Sequence, residues 1–484
     1  MLELQDSSLI KNSSFINGKW YNAASGKTIN VINPATNEVL GSVPDCDGSD
    51  TKLAIDAADK ALKVWSKFTS HQRAEYLRKW HDLMLEHADD LALIMTLEQG
   101  KPLAEAKGEV LYGASFVKWF AEEGIRAYGD VIPGQSANRR VITRKIPVGV
   151  CAAITPWNFP NAMLTRKAAP ALAAGCTIVA KPSDLTPYSA LALAELAKRA
   201  GIPDGVLNVV TGMPIAIGNE LTSNPTVKKL TFTGSTNVGK LLLKQCADTV
   251  KRVSLELGGN APVIIFDDAD IDTAVQGVMA SKFRNNGQTC VCANRIYVQS
   301  GIYDKFSLKL AAETMKLKVG SGVEASTTMG PLISQPAVDK VTNHVNDAVS
   351  KGACILTGGK SFINKPQFFE PTVLTNAADD MLLAHEETFG PVAALFKFET
   401  ESEVIERANN TPYGLAAYVF SQNINRLFKV SESLEYGMVG MNTGAISSAV
   451  APFGGIKESG LGREGSHLGI EEFLEVQTFH LDIN

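Results

Sequence analysis

The sequence predicts an α/β fold built on a largely parallel sheet and divided into more than one domain. Three observations carry that prediction. The chain has 484 residues, too many for one ordinary core. Helical and strand periodicities alternate along most of it, the pattern of helices layered on parallel strands. Within about a hundred residues, three strand–turn–helix units follow one another, which is the make-up of a dinucleotide-binding layer.

From the N-terminus, "SDTKLAIDAADKALKVWSKF" and "HQRAEYLRKWHDLMLEHADDLALIMTLEQG" carry apolar residues at helical spacing and are expected to pack on that layer. "YGDVIPGQSANRRVITRKIP" breaks the helical pattern with glycine, proline and alternating residues, so it reads as a protruding hairpin. The first unit is the apolar run "VGVCAAITPWNFP", closed by Pro156 and Pro160, with the helix "NAMLTRKAAPALAAG" ending at Gly175. The second is the buried strand of "CTIVAKPSDLTP" and the helix "YSALALAELAKRAG", stopped by Gly201. The third, "VKKLTFTGSTNVGKLLLKQCAD", has a strand, a Gly/Ser/Thr turn and a helix starting near Thr236. After "LELGGNAPVIIFDDADID" a second α/β domain begins and continues to about residue 450. The glycine-rich "APFGGIKESGLGREG" that follows needs an ordering partner.

Composition narrows the function. With 45% hydrophobic and 20% charged residues the chain has globular character. Its formal charge of −5, without a basic run, argues against a nucleic-acid partner. The longest apolar stretches are too short to cross a bilayer, and "MLELQDSSLIKNSS" has no basic region followed by an apolar one. Seven scattered cysteines argue against a disulfide framework and fit a reducing compartment, so a cytoplasmic location is expected.

Chemistry concentrates around "NNGQTCVCANR", where Cys290 and Cys292 flank one valine. Zinc would need a second cysteine pair or an HxxxH pattern, and the sequence has neither, so no metal is expected. Two buried small residues or an activated nucleophile remain. A nucleophilic thiol needs a base, an oxyanion site and a route for its leaving group. Glu256 in "LELGGN" ends an apolar strand at the junction of the two domains, where it reads either as a desolvated general base or as a salt-bridged or capping residue. Asn158 in "TPWNFP" offers an amide in a proline-bounded turn, with the Cys290 N–H as a second donor. No G-x-G-x-x-G follows a strand. Its nearest substitute is "FTGSTNVG", where Gly234 permits close approach and Ser235 with the following helix N-terminus suits a pyrophosphate. Lys181 and Asp184 in "KPSD" follow the second strand, where a ribose-reading residue belongs, and read equally as turn residues.

Taken in order, "TPWNFP", "KPS", "FTGST", "LELGG", "GQTC", "EETFGP" and "PFGGIKESGLGRE" resemble the aldehyde dehydrogenase superfamily, from "FINGKW" to "GIEEFLEV". The strings "TRKAAPALAAGCT" and "SKFRNNGQTCVCANR" look most like its bacterial succinate-semialdehyde-oxidising members. The resemblance implies a Rossmann-type dinucleotide domain at 1–124 and 147–257 and a catalytic domain at 258–452. It also implies a small β extension for oligomerisation at 125–146 and 453–484, giving a dimer of dimers.

By the same resemblance Cys290 is the nucleophile, Asn158 and the Cys290 amide the oxyanion hole, and Glu256 the base that hydrolyses the thioester. NAD or NADP would be held by Thr155, Trp157, Lys181, Ser183, Asp184, Gly234, Ser235, Leu257, Glu387 and Phe389. Arg166, Arg284 and Ser447 would bind a distal carboxylate on the aldehyde, implying oxidation of succinate semialdehyde in 4-aminobutyrate breakdown. Glutarate semialdehyde, one methylene longer, is the alternative substrate. A thiol hydrolase or redox sensor without nicotinamide is the alternative from another class. Asp184 departs from the glutamate of many NAD-using relatives and from the small neutral residue of NADP-using ones, leaving the cofactor open. Cys292 matches a position that forms a reversible disulfide with the nucleophile in some relatives.

Overall fold

The structure is a computed structural model that describes residues 3–363 and 365–483. Two large sheets organise it. Across the first run, in order, Lys19–Tyr21, Ser14–Ile16, Leu207–Val209, Thr177–Lys181, Val150–Ile154, Val227–Thr233, Arg252–Glu256 and Gly460–Leu461. Its five central strands are parallel, and both edges are closed by antiparallel pairs. Because helices cover both faces, alternate residues of one strand enter two different cores: Cys151 and Ala153 face one, Val150 and Ala152 the other. That double burial is why these strands read in the sequence as unbroken apolar runs.

The second sheet has the order Cys354–Thr357, Thr372–Ala377, Val392–Phe398, Ala293–Gln299, Ala261–Ile265, Ala416–Phe420 and Met438–Met441. It too is buried on both faces, with Ile264 and Phe266 in one core and Val263 and Ile265 in the other. The chain passes from the first sheet to the second through Leu257–Asn260, directly after Glu256.

A third, three-stranded sheet pairs Val131–Pro133 and Arg139–Pro147 with Leu474–Asp482, so the expected hairpin exists and gains a C-terminal strand. The glycine-rich segment before that strand is ordered by the first sheet: Leu461 pairs with Leu255 and Gly460 with Glu256. Gly460 has a φ of 150°, and a Cβ there would lie 2.0 Å from the Leu255 carbonyl, so only glycine allows this pairing.

Several elements differ from the sequence reading. The stretch from "HQRAEYLRKW" divides at His87 into helices Ser70–Glu86 and Ala88–Gln99. The longest helix, Leu103–Glu123, was not anticipated. It is buried on several sides, which blurs any amphipathic stripe, and Gly113 brings it so close to Asn161 that a Cβ would lie 2.2 Å from Oδ1. The N-terminal strands were not anticipated either; they are short, and half-buried ones carry weak periodicity. Among the described residues no helix is long and apolar enough to cross a membrane.

Candidate active site

The strand Val150–Ile154 has Thr177–Lys181 on one side and Val227–Thr233 on the other, so the connections leave it in opposite directions. A crevice opens at such a switch point, outside the carboxyl ends of the strands. Here it continues into a cavity of about 290 Å³ lined by Trp157, Asn158, Ser235, Cys290, Glu387 and Phe389, among others. Gly234 and Leu257 also line it. The structure thus gathers these eight expected site residues, drawn from positions 157 to 389, around one space.

A dinucleotide fits this crevice. The hydroxyls of Thr155 and Thr233, at the ends of adjacent strands, are buried without hydrogen-bond partners. Ser235 stands at the N-cap of helix Thr236–Cys246 with no side-chain capping bond, leaving the first N–H groups for an anion. Gly234 is held by its N–H donating to the Glu256 carbonyl at 3.0 Å, and the Phe232 ring fills the space a Cβ would need. Across the mouth, Trp157 and Phe389 meet edge to face at 5.6 Å. Phe389 takes a φ of 55°, an uncommon conformation for a bulky residue, which turns its ring toward Trp157. Lys181 ends the neighbouring strand, Ser183 and Asp184 follow it, and none of the three lines this cavity; Lys181 Nζ lies 3.6 Å from Asp184 Oδ1.

The nucleophile loop is tightly built. Asn285 and Asn286 both adopt left-handed backbone, with φ of 48° and 60°. The loop approaches the inter-sheet crossing closely, since a Cβ on Gly259 would lie 2.5 Å from the Cys290 carbonyl. Glu387 is tied to the same crossing by accepting from Gly259 N–H at 3.2 Å. Burial, and then the charge of Glu387, pushes the half-buried Cys290 thiol up to about 12. Burial also raises the Glu387 carboxyl to about 7. The Cys290 N–H has no acceptor among the described residues. The Asn158 amide donates to the Gln288 carbonyl at 3.0 Å, and its second N–H has no acceptor among them.

Cys292 is buried and faces away: its thiol donates to the Lys282 carbonyl at 3.4 Å, at the end of helix Ile271–Lys282. All seven cysteines are free thiols. Among the described residues no cluster of three His, Cys, Asp or Glu could hold a metal ion.

Glu256 does not line this cavity. Its Oε1 sits so near Gly454 that a Cβ there would be 2.9 Å away, and Oε2 has no partner. Burial, reinforced by the charge of Glu464, holds its carboxyl well above the usual carboxylate range. Glu464 itself is held below that range: burial acts against this, but Arg166 and Lys167 outweigh it. Arg166 Nε lies 2.5 Å from Glu464, its guanidinium stacks over Phe453 at 4.1 Å, and it too is absent from the lining of this cavity.

A second cavity of about 330 Å³ contains Arg284 and Ser447, together with Lys101, Glu109, Tyr112 and Phe159. The Arg284 guanidinium lies over the Phe159 ring at 4.7 Å. Consecutive residues Asn158 and Phe159 line one cavity each, so a single turn separates them. The structure therefore unites Arg284 with Ser447 and sets Arg166 apart in a buried ion cluster. Glu464, Lys101 and Glu109 were missed by sequence reasoning: Glu464 ends the motif "PFGGIKESGLGRE" without a role assigned to it, and no local pattern marks Lys101 or Glu109.

The profile of the aldehyde dehydrogenase family matches residues 20–479. The glutarate-semialdehyde dehydrogenase of Pseudomonas aeruginosa is 59% identical over 98% of this chain and 99% of its own. The NADP(+) succinate-semialdehyde dehydrogenase of Escherichia coli matches at the same identity, 59%, and the same coverage, 98% and 99%. The crystal structure of succinate-semialdehyde dehydrogenase from Burkholderia pseudomallei superposes with a TM-score of 0.99 at 57% identity, covering all of both chains. With the profile spanning the second sheet, all but the N-terminal edge of the first, the thiol loop and the crevice, this chain belongs to the aldehyde dehydrogenase family.

Proposed function

We propose that the protein oxidises succinate semialdehyde to succinate with NAD or NADP, through a covalent intermediate on Cys290. The observation that carries this reading is the pairing of two cavities about one turn: Cys290 and Asn158 on one, and the cation Arg284 with Ser447 on the other. The names of the Escherichia coli and Burkholderia relatives support the same substrate.

In this reading the Cys290 thiol loses its proton to water in the crevice, and the sulfur adds to the aldehyde carbon while the carbonyl π electrons move to oxygen, forming a thiohemiacetal alkoxide. The alkoxide is met by the Asn158 amide and the Cys290 N–H, both of which have an unused N–H. A bound nicotinamide dinucleotide supplies the hydride acceptor, which leaves a thioester on Cys290. Thr155, Thr233, Gly234, Ser235 and the helix N-terminus behind them would hold its phosphates and ribose, and Trp157, Leu257, Glu387 and Phe389 the nicotinamide half. Lys181, Ser183 and Asp184 would face the adenosine ribose. Glu256 turns from Gly454 toward the cavity and takes a proton from water as the water oxygen adds to the thioester carbon; the C–S bond then breaks, releasing the acid and returning the Cys290 sulfur. A carboxyl pKa raised above the usual range suits that step, since it makes Glu256 a stronger proton acceptor than an ordinary carboxylate.

Arg284, with Ser447, would hold the distal carboxylate. Arg166 would contribute a second cation only by leaving its pairing with Glu464. Glutarate semialdehyde is the second reading, supported by the Pseudomonas aeruginosa relative, and the extra methylene discriminates by only about 1–3 kcal/mol. A thiol hydrolase or sensor without nicotinamide loses its ground with the family membership.

The three-part domain division stated above belongs to this proposal, with Gly460–Leu461 lending an edge strand to the first sheet. Assembly as a dimer of dimers is supported by exposed apolar residues on the three-stranded sheet: Val131, Ile142, Val476, Phe479 and Leu481. A cytoplasmic setting accords with seven free thiols.

The test compares kcat/KM for succinate semialdehyde, glutarate semialdehyde and butyraldehyde, each with NAD and with NADP. Charge-assisted hydrogen bonds of about 1.5–3 kcal/mol predict at least a tenfold preference for the carboxylated aldehydes. Equal values for butyraldehyde would remove the substrate assignment.

A further inference from the structure

The turn that carries Asn158 is gripped from behind by charges that no step above uses. Lys101 and Glu109 form an ion pair 2.5 Å long, with both side chains only 1% exposed. Each partner also holds the turn. Lys101 Nζ donates to the Asn158 carbonyl at 2.7 Å. Glu109 Oε1 accepts from the Asn161 and Ala162 N–H groups, at 3.0 and 3.1 Å, which fixes the start of helix Ala162–Ala174. Asn161 caps that helix with no side-chain bond of its own, so the Glu109 carboxylate does the capping from another helix.

The same segment reaches the nucleophile loop. Asn285 Nδ2 donates to the Asn158 carbonyl at 2.9 Å and to the Gln288 carbonyl at 3.3 Å. Gln288 is also the acceptor for the Asn158 amide. Gln99 donates to Asn285 Oδ1 at 3.1 Å, and Glu105 accepts from Asn285 N–H at 2.8 Å. Residues 99–109 thus bond the Asn158 turn and the Cys290 loop together, and all the bridging bonds are buried or partly buried.

We propose that Lys101 and Glu109 are positioning residues that aim the Asn158 amide at the oxyanion, with Asn285 as the joint that fixes its register to Cys290. Removing two ions from water is costly, and apolar residues of like volume would hold the helices at least as well. What apolar residues cannot do is bond a carbonyl at one end of the turn and two amides at the other. Oxyanion donors work only when pre-aimed, and a displacement of about 1 Å costs on the order of a hundredfold in rate. The inference rests on the reading of Asn158 as an oxyanion donor.

Lys101→Met/Glu109→Gln removes the pair without leaving an unpaired charge, and it is compared with Asn158→Ala and the triple variant. The readout is the rapid-mixing burst of reduced dinucleotide with saturating aldehyde, beside KM and dinucleotide affinity by fluorescence titration. The expected result is a burst slowed roughly 10- to 100-fold in the double variant, with dinucleotide affinity within about threefold of the parent. KM is compared with butyraldehyde, which has no carboxylate to meet the cavity that Lys101 and Glu109 share with Arg284, and is also expected within about threefold. On the Asn158→Ala background the double substitution adds no further loss, because the group it aims is gone.

A parent-like burst in the double variant, or losses that multiply in the triple, would overturn the positioning role. A parent-like burst in Asn158→Ala would instead remove the oxyanion reading, and the proposal with it. Should the double variant not fold, Asn285→Gly serves in its place. It keeps the left-handed backbone while deleting the joint, and the same burst, KM and non-additivity criteria decide.

Discussion

Glu256 and Glu464 share one buried cluster that pushes their two carboxyls in opposite directions. Arg166 and Lys167 keep the Glu464 carboxyl below the usual range, while burial and the Glu464 charge keep Glu256 above it. Two carboxyls pushed apart in this way divide the work of a fixed charge and a proton carrier.

Glu464→Gln removes the charge that raises Glu256 and leaves Arg166 and Lys167 to lower it. Wild-type turnover is expected to rise with pH as Glu256 loses its proton, and in this variant the acid limb moves to lower pH. Two buried cations lose their partner, so the variant is also destabilised by about 3–5 kcal/mol. A pH profile of kcat beside a thermal melt checks both, and an unmoved acid limb would uncouple the two carboxyls.

Cys290→Ala leaves the crevice intact and is expected to bind dinucleotide as the parent does, with oxidation lost. Activity is measured by reduced-dinucleotide absorbance and binding by titration. Any burst in this variant would place the nucleophile elsewhere.

Arg284→Ala is expected to raise KM for succinate semialdehyde tenfold or more, from the loss of about 1.5–3 kcal/mol, while butyraldehyde changes little. Equal losses for both aldehydes would take Arg284 out of the substrate pocket.

Asp184 lies 3.6 Å from Lys181, and in the proposed reading its carboxylate faces the adenosine ribose, where it would repel a 2′-phosphate. Asp184→Ser frees Lys181 and removes that repulsion. The ratio of kcat/KM for NADP over NAD is expected to rise about tenfold, on the order of 1.4 kcal/mol for one charge contact. An unchanged ratio would show that Asp184 does not read the ribose.

Much of the site was legible because its parts lie in short signatures on strongly patterned elements. Strands buried on both faces read as apolar runs, and the residues at their carboxyl ends, from Asn158 to Glu256, follow from where those runs stop. The loops of Cys290 and Phe389 were placed by motif order and converge on one cavity. What stayed hidden depends on contacts between distant segments. Lys101 meets Asn158 57 positions away, and Lys167 meets Glu464 297 positions away, and no local periodicity encodes either. Arg166 shows the same limit: its neighbours in sequence say nothing of Glu464, which draws it into an ion cluster off both cavities.

The most direct test of the chemistry uses Glu256→Gln, mixed rapidly with dinucleotide and succinate semialdehyde, then quenched and digested. The account predicts a burst of one reduced dinucleotide per site, slow turnover afterwards, and a succinyl adduct on the peptide bearing Cys290. Turnover at the parent rate with no adduct would contradict it.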